Sequence, residues 1–284
     1  MASDARLLPG LLYLPGLITP MRTPGVQGGV NFYLLHAHRQ GLLVTLQPYP
    51  LMRRGDWVDV YWGKGSFPAA SAVVQDEHVG QNVPVFVPVS RVPEGISSVH
   101  CRVIHDGDGS ERKSAPLNVL VRLVFPGGTD PEPDVAAHQR LQPPQIELPA
   151  SGLIDEAMAK AGVKVVIAPY RNMREFDTIQ LSWHGEFVEH EVSPDEVGVP
   201  VTVVVPEAVI HAAGDGDDLI VLYRLFDEVH NASSDWSLRS RVSVEVGQGL
   251  HAAPLVVNPD GDADPYEIID LQHLNQGRWR SRWW

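Results

Sequence analysis

The chain has 284 residues, a formal net charge of −13 and a pI of about 5.3. That charge argues against broad electrostatic capture of nucleic acid, and the length suits two domains with cores large enough to fold without staples. One cysteine, Cys101, excludes an intrachain disulfide, and no run of about 18 apolar residues offers a membrane-spanning helix.

The first stretch, "MASDARLLPGLLYLPGLITP", is apolar, but Pro9 and Pro15 break it and no compact basic segment precedes it. It reads as an N-terminal extension (1–27) and not as a cleavable signal peptide. The expected location is therefore the cell surface or the medium, reached without a cleaved signal, with the cytoplasm as the alternative. His36 and His38 follow. Two apart, they would share one side of a strand, but two imidazoles fall short of a metal site. "LLVTLQ", from Leu42, is the first clear strand.

"RRGDWVDVYWG", from Arg53, contains the tripeptide Arg54-Gly55-Asp56 that many integrins recognise. The chain supplies its own control. "QPYPLMRRGDWVDVYWG", from Gln47, recurs as "APYRNMREFDTIQLSWHG", from Ala168. Pro48, Tyr49, Met52, Arg53, Asp56 and Trp62 become Pro169, Tyr170, Met173, Arg174, Asp177 and Trp183. Arg54 and Gly55 become Glu175 and Phe176, so the repeated feature is Arg-x-x-Asp, a turn feeding a strand. Asp suits it because its side chain bonds nearby backbone amides. In that strand Val58, Val60 and Trp62, like Ile179, Leu181 and Trp183, occupy alternate positions and should point inward.

The repeat continues in order. "VGQNVPVFVP" from Val79 matches "VGVPVTVVVP" from Val197. "VHCRVIHD" from Val99 matches "VLYRLFDE" from Val221, and "SAPLNVLV" from Ser114 matches "SLRSRVSV" from Ser237. Each copy shows six or seven short strands with turn signals between them, the pattern of an antiparallel β-sandwich. The expected organisation is all-β: domain 1 at 28–125, a Pro- and Asp-rich linker at 126–140, domain 2 at 141–248, and a tail at 249–284. "SGLIDEAMAKAG", from Ser151, allows one or two helical turns or a loop. The tail loosely resembles the start of domain 2, an incomplete third repeat, and ends in "RWRSRWW".

The common catalytic motifs are missing: no G-x-S-x-G, H-E-x-x-H or C-x-x-C occurs, and "GKGS" at Gly63 lacks the upstream glycine of a phosphate loop. Cys101, in a strand where the other copy has Tyr223, reads as a buried residue and not as a nucleophile. The non-enzymatic reading follows, with no cofactor expected. Asp260, Asp262 and Asp264 supply the D-x-D-x-D oxygens that Ca²⁺ uses, but Pro265 replaces the loop glycine and Leu271 the closing Glu, so Ca²⁺ stays an alternative to ordinary turn chemistry.

The outward phase of the Asp56 strand differs between copies. In the second it is Thr178, Gln180 and Ser182; in the first it is Trp57, Asp59 and Tyr61. Two rings around a carboxylate suit a protein or glycan partner, or pack on the N-terminal segment or the other domain. Arg278, Trp279, Arg280, Arg282, Trp283 and Trp284 interleave guanidinium and indole. That composition fits docking on the chain itself, a partner, or a membrane surface, and equally a remnant of a longer repeat array.

The spacing PY-x-x-M-x-x-x-D-x-V-x-V-x-W, read from Pro48, then V-G-x-x-V-P-V, resembles tandem immunoglobulin-like repeats of large Gram-negative proteins, often from pseudomonads. The resemblance covers 28–125 and 141–248. It implies a scaffold or surface module and no reaction, in domains that lack the antibody-type disulfide. The leading expectation is thus a non-catalytic, adhesin-like binding or structural module of a bacterial surface or secreted assembly. The alternatives are a cytosolic adaptor or chaperone for a secreted protein, and a membrane-acting effector or toxin component.

Overall fold

A computed structural model describes residues 7–8 and 11–247. It is almost entirely β. In chain order the first half contains β1 (Leu7–Leu8), β2 (Leu12–Tyr13), β3 (Gly28–Val30), the one-turn helix α1 (Phe32–Leu35), β4 (Leu42–Leu46), β5 (Trp57–Trp62), β6 (Ala70–Val73), β7 (Val83–Val87), β8 (Gly95–Ile104), β9 (Glu111–Ser114) and β10 (Leu117–Val121). The second half contains β11 (Gln145–Ile146), β12 (Leu153–Asp155), α2 (Glu156–Ala161), β13 (Val163–Ile167), β14 (Thr178–Trp183), β15 (Glu186–Glu191), β16 (Val201–Val205), α3 (Glu207–Ala213), β17 (Gly216–Phe226) and β18 (Ser240–Glu245).

Each half is a two-sheet sandwich. In the second, β11-β13-β16 faces β12-β18-β17-β14-β15. In the first, β2-β4-β7 faces a larger sheet in which β8 pairs with β5 on one side and with β9 and β10 on the other. The strand before each short helix runs parallel to the last long strand of its sandwich, β3 beside β10 and β12 beside β18. The inward phase is as the alternation predicts: Val58, Val60, Ile179, Leu181 and Trp183 are fully buried and Trp62 is 7% exposed. The first core also takes in Leu11, Leu12 and Leu14, upstream of residue 28.

The repeat extends to the backbone. Leu51 and Asn172 share a left-handed φ, as do Gly55 and Phe176. Asp56 closes its turn by accepting from Arg53 N (3.2 Å), Tyr49 Oη (2.8 Å) and Asp106 N (3.0 Å), and Asp177 accepts from Arg174 N (3.0 Å) and Tyr170 Oη (3.1 Å). Asp56 is fully buried. The carboxylate of the RGD spelling therefore faces its own turn, out of reach of a receptor. Cys101 N donates to Ser114 Oγ and Tyr223 N to Ser237 Oγ, both at 3.0 Å. His36 and His38 do not lie on a strand: His36 caps α1, its ring on Phe32 O, and His38 packs edge-on to Phe86.

A loop of the second sandwich, Asp227–Asn231, clasps the first. Asp227 Oδ1 accepts from Val229 N and Asn231 N, and its Oδ2 from Asn231 Nδ2. So fixed, Asn231 accepts from Phe32 N and donates to Arg122 O, both at 3.0 Å. Glu228 accepts from Arg22 N, Thr23 N and Thr23 Oγ1, each at 2.6 Å. A Cβ on Gly29 would lie 2.4 Å from Val229 Cγ1, so a side chain there would push Val229 away. Arg22 pairs with Glu191, and Arg174 with Glu94 at 2.9 Å. The segment between the sandwiches is itself packed: His138 is fully buried, its Nε2 3.2 Å from Gly128 O.

Candidate functional site

Strand β5 lies between β6 and β8, so Trp57 and Asp59 have a cross-strand neighbour on both sides and Tyr61 has one on β8. Asp59 faces Ser71 on β6 and Arg102 on β8; Tyr61 faces His100; Trp57 faces Val73 and Ile104. Directly opposed side chains are the ones that interact across a sheet. Here they build a single polar–aromatic cluster.

Asp59 is its hub. Oδ1 accepts from Trp57 Nε1 (2.7 Å) and Ser71 Oγ (2.6 Å), and Oδ2 from Arg102 Nη2 (2.7 Å). The residue is only 3% exposed. Burial pushes its pKa up, but the hydrogen bonds from Ser71, Arg102 and Trp57 outweigh that and hold it below the usual carboxylate range. Arg102 is held in turn by Asp59, which raises its pKa, and reaches Glu111 at 3.5 Å. Its guanidinium carbon lies 5.6 Å from the Tyr61 ring centroid. Tyr61 and His100 stack with centroids 5.0 Å apart and planes 6° from parallel. Burial, then the charge of Lys113, lowers the His100 pKa, which favours the neutral ring.

Of the three residues that the outward phase singles out, the structure thus exposes one and half-exposes a second. Trp57 is 46% exposed with its indole N–H tied down, and Tyr61 is half-buried against His100. Asp59 has both oxygens occupied by the protein, so it orients the Trp57 ring and leaves no lone carboxylate for a ligand. Ser71, His100 and Arg102 complete the cluster and were not singled out by the sequence pattern. His100 and Arg102 do fall on the outward phase of β8, a signal that needs the β5–β8 register to be useful.

Among the described residues the second sandwich has no such cluster. Gln180 bonds Glu189 at 3.0 Å across the β14–β15 pair, and Phe187, on β15, stacks loosely on Trp236 at 6.2 Å. Cys101 is fully buried, and burial pushes its thiol up to about 11, so it is no nucleophile at neutral pH. In the acidic loop after β8, Asp108 Oδ1 accepts from Ser110 N and Oγ, an ordinary Asx turn. Asp260, Asp262 and Asp264, and the Arg278–Trp284 segment with Trp279, Arg280, Arg282 and Trp283, lie outside the described residues.

No protein-family model matches the sequence, and no curated protein matches it. Solved structures similar to it in outline include one of a 1.5-MDa bacterial ice-binding adhesin, at 12% identity and a TM-score of 0.31, over 89% of this chain and 68% of that one. Another is the adhesin domain of Epf from Streptococcus pyogenes, at 12% identity and a TM-score of 0.25, over 73% of each chain. A third is a tetra-tandem repeat from the extending region of a large adhesion protein, at 13% identity and a TM-score of 0.27, over 76% of this chain and 48% of that one.

Proposed function

We propose that the chain is a non-catalytic, adhesin-like binding module of a bacterial surface or secreted assembly, and that it holds a protein or glycan partner on the outer β5–β8 face of its first sandwich. The observation that carries this reading is Trp57: a large ring, 46% exposed, whose N–H is fixed 2.7 Å from a buried carboxylate. A ring held in place loses little entropy on contact, and Trp, Tyr and Arg are the side chains that dominate binding faces. The clasp at Asn231 supports the scaffold half of the reading, since it joins the two sandwiches through side-chain and backbone hydrogen bonds as well as packing.

The location is tested by treating intact producing cells with protease. Loss of the chain without lysis agrees with the proposal; protection in the cytosol overturns it. The face is tested by substitution. Trp57→Ala should weaken binding about 30-fold, from the ~2 kcal/mol of a hot-spot residue. Gln180→Ala, at the corresponding position of the second sandwich, should leave it unchanged. Equal binding by both variants would remove the face from the account.

A further inference from the structure

Three side chains converge where α2 meets α3. Glu156 is the first residue of α2 and Glu207 the first of α3, with His211 one turn later on α3. His211 Nε2 lies 3.3 Å from Glu156 Oε2 and 3.8 Å from Glu207 Oε1, and one ligand atom from each residue falls within 4.8 Å of the other two. An i,i+4 pair on one helix with a third donor from its neighbour is a set that two short helices can hold rigidly. In a tetrahedral centre with bonds of about 2.0–2.2 Å, ligand atoms stand about 3.4 Å apart. The two measured separations bracket that distance, and the two carboxylates, within 4.8 Å of each other, draw together as the ion enters.

We propose that Glu156, Glu207 and His211 bind a divalent transition cation of the zinc type, with water filling the remaining position. One imidazole with two carboxylates favours Zn²⁺ over Ca²⁺ or Mg²⁺, which take oxygen ligands. The ion displaces the present His211–carboxylate contacts and ties α2 to α3. Among the described residues the first sandwich has no counterpart: α1 begins with Phe32 where α2 begins with Glu156, and a 3-10 turn, Val89–Arg91, stands where α3 does. The α1 end of the first sandwich is the one that meets the second, through Phe32 N and Glu94. The site therefore sits on the corresponding end of the second sandwich, and the ion would stiffen that end.

The test is calorimetric titration of the EDTA-stripped, dialysed full chain with ZnCl₂, and separately with CaCl₂, in wild type, His211→Ala and Glu207→Gln. The chain has twelve histidines, so the readout is the Zn²⁺ equivalent that the variants lose. One Zn²⁺ equivalent should disappear, or weaken more than about tenfold, in each variant, because even outer partners of a metal ligand cost 10–100-fold. Co²⁺ should give tetrahedral visible bands in wild type and not in His211→Ala. Circular dichroism that is unchanged in Glu207→Gln separates a lost ligand from a lost fold. The proposal is overturned if both variants bind as many equivalents as tightly as wild type, or if Ca²⁺ binds this site as tightly as Zn²⁺.

Discussion

Replacing Asp177 by Asn should stabilise the second sandwich at pH 8 and leave it nearly unchanged at pH 4. Asp177 is 1% exposed, and burial pushes its pKa up to about 7, against the hydrogen bonds from Arg174 N and Tyr170 Oη; the charge of Asp227 adds to the rise. The ordinary value is 3.8. Between about pH 4 and pH 7 the native state holds a proton that the unfolded chain has released. Stability therefore falls as pH rises through that window, by ~1.4 kcal/mol per unit and ~4 kcal/mol in all. An Asn oxygen can still accept from Arg174 N and Tyr170 Oη, but the side chain carries no charge. The variant should thus lack this fall and gain up to about 4 kcal/mol at pH 8. Asp227, pushed by burial up to about 6, contributes its own fall in both proteins. The assay is hydrogen exchange of β14 and β17 amides from pH 4 to 8, corrected for intrinsic rates. Equal protection of variant and wild type at pH 8, or an equal gain at pH 4 and pH 8, would refute the reasoning. The first sandwich should behave in the opposite sense. Burial raises the pKa of Asp56, but Asp106 N, Tyr49 Oη, Arg53 N and His105 outweigh it and lower the value, so its contribution is lost as pH drops below the usual Asp range. The two copies diverge chiefly because burial prevails at Asp177, whereas Asp106 N–H donates to Asp56; His105 in place of Asp227 adds to the difference.

Asn231→Ala should strand Phe32 N–H and Arg122 C=O and cost the junction about 2 kcal/mol. Small-angle scattering should then show a larger maximum dimension, and an unchanged value would mean that the loop is no clasp. Asp56→Ala should destabilise the first sandwich by about 3 kcal/mol or more, because it removes the acceptor for Tyr49, Arg53 N, His105 and Asp106 N; a urea midpoint within error of wild type would contradict this. Arg54→Ala, by contrast, should alter neither stability nor adhesion to integrin-bearing cells. Cys101 should resist alkylation in the native chain and react only on unfolding, and labelling at a free-thiol rate at pH 8 would contradict its burial.

Much of the fold was legible because alternation and repetition report on burial directly. Val58, Val60 and Trp62 and their counterparts could be assigned inward without knowing any strand partner, and Asp56 with Asp177 marked the turn. What stayed hidden depends on register. Asp59 sits on the outward phase, where pattern alone predicts exposure, yet Ser71 and Arg102 stand opposite it and close over its carboxylate. The same register makes His100 a platform for Tyr61. Leu11, Leu12 and Leu14 read as an extension because prolines interrupt them, and β2 pairs with β4 for only two residues. The junction was hidden for another reason. Glu228 and Asn231 are polar loop residues whose partners lie about two hundred positions upstream, at Arg22, Thr23 and Phe32.

The central claim is that the outer face around Trp57 and Tyr61 binds a partner. Its most direct test is to probe an array of bacterial and host oligosaccharides and extracellular-matrix proteins with the labelled full chain and with the Trp57→Ala/Tyr61→Ala double variant. The account predicts at least one ligand held by wild type and weakened about 100-fold or more in the double variant, two rings each contributing at least tenfold. Ligands that the double variant holds as tightly as wild type does, or no bound ligand at all, would contradict it.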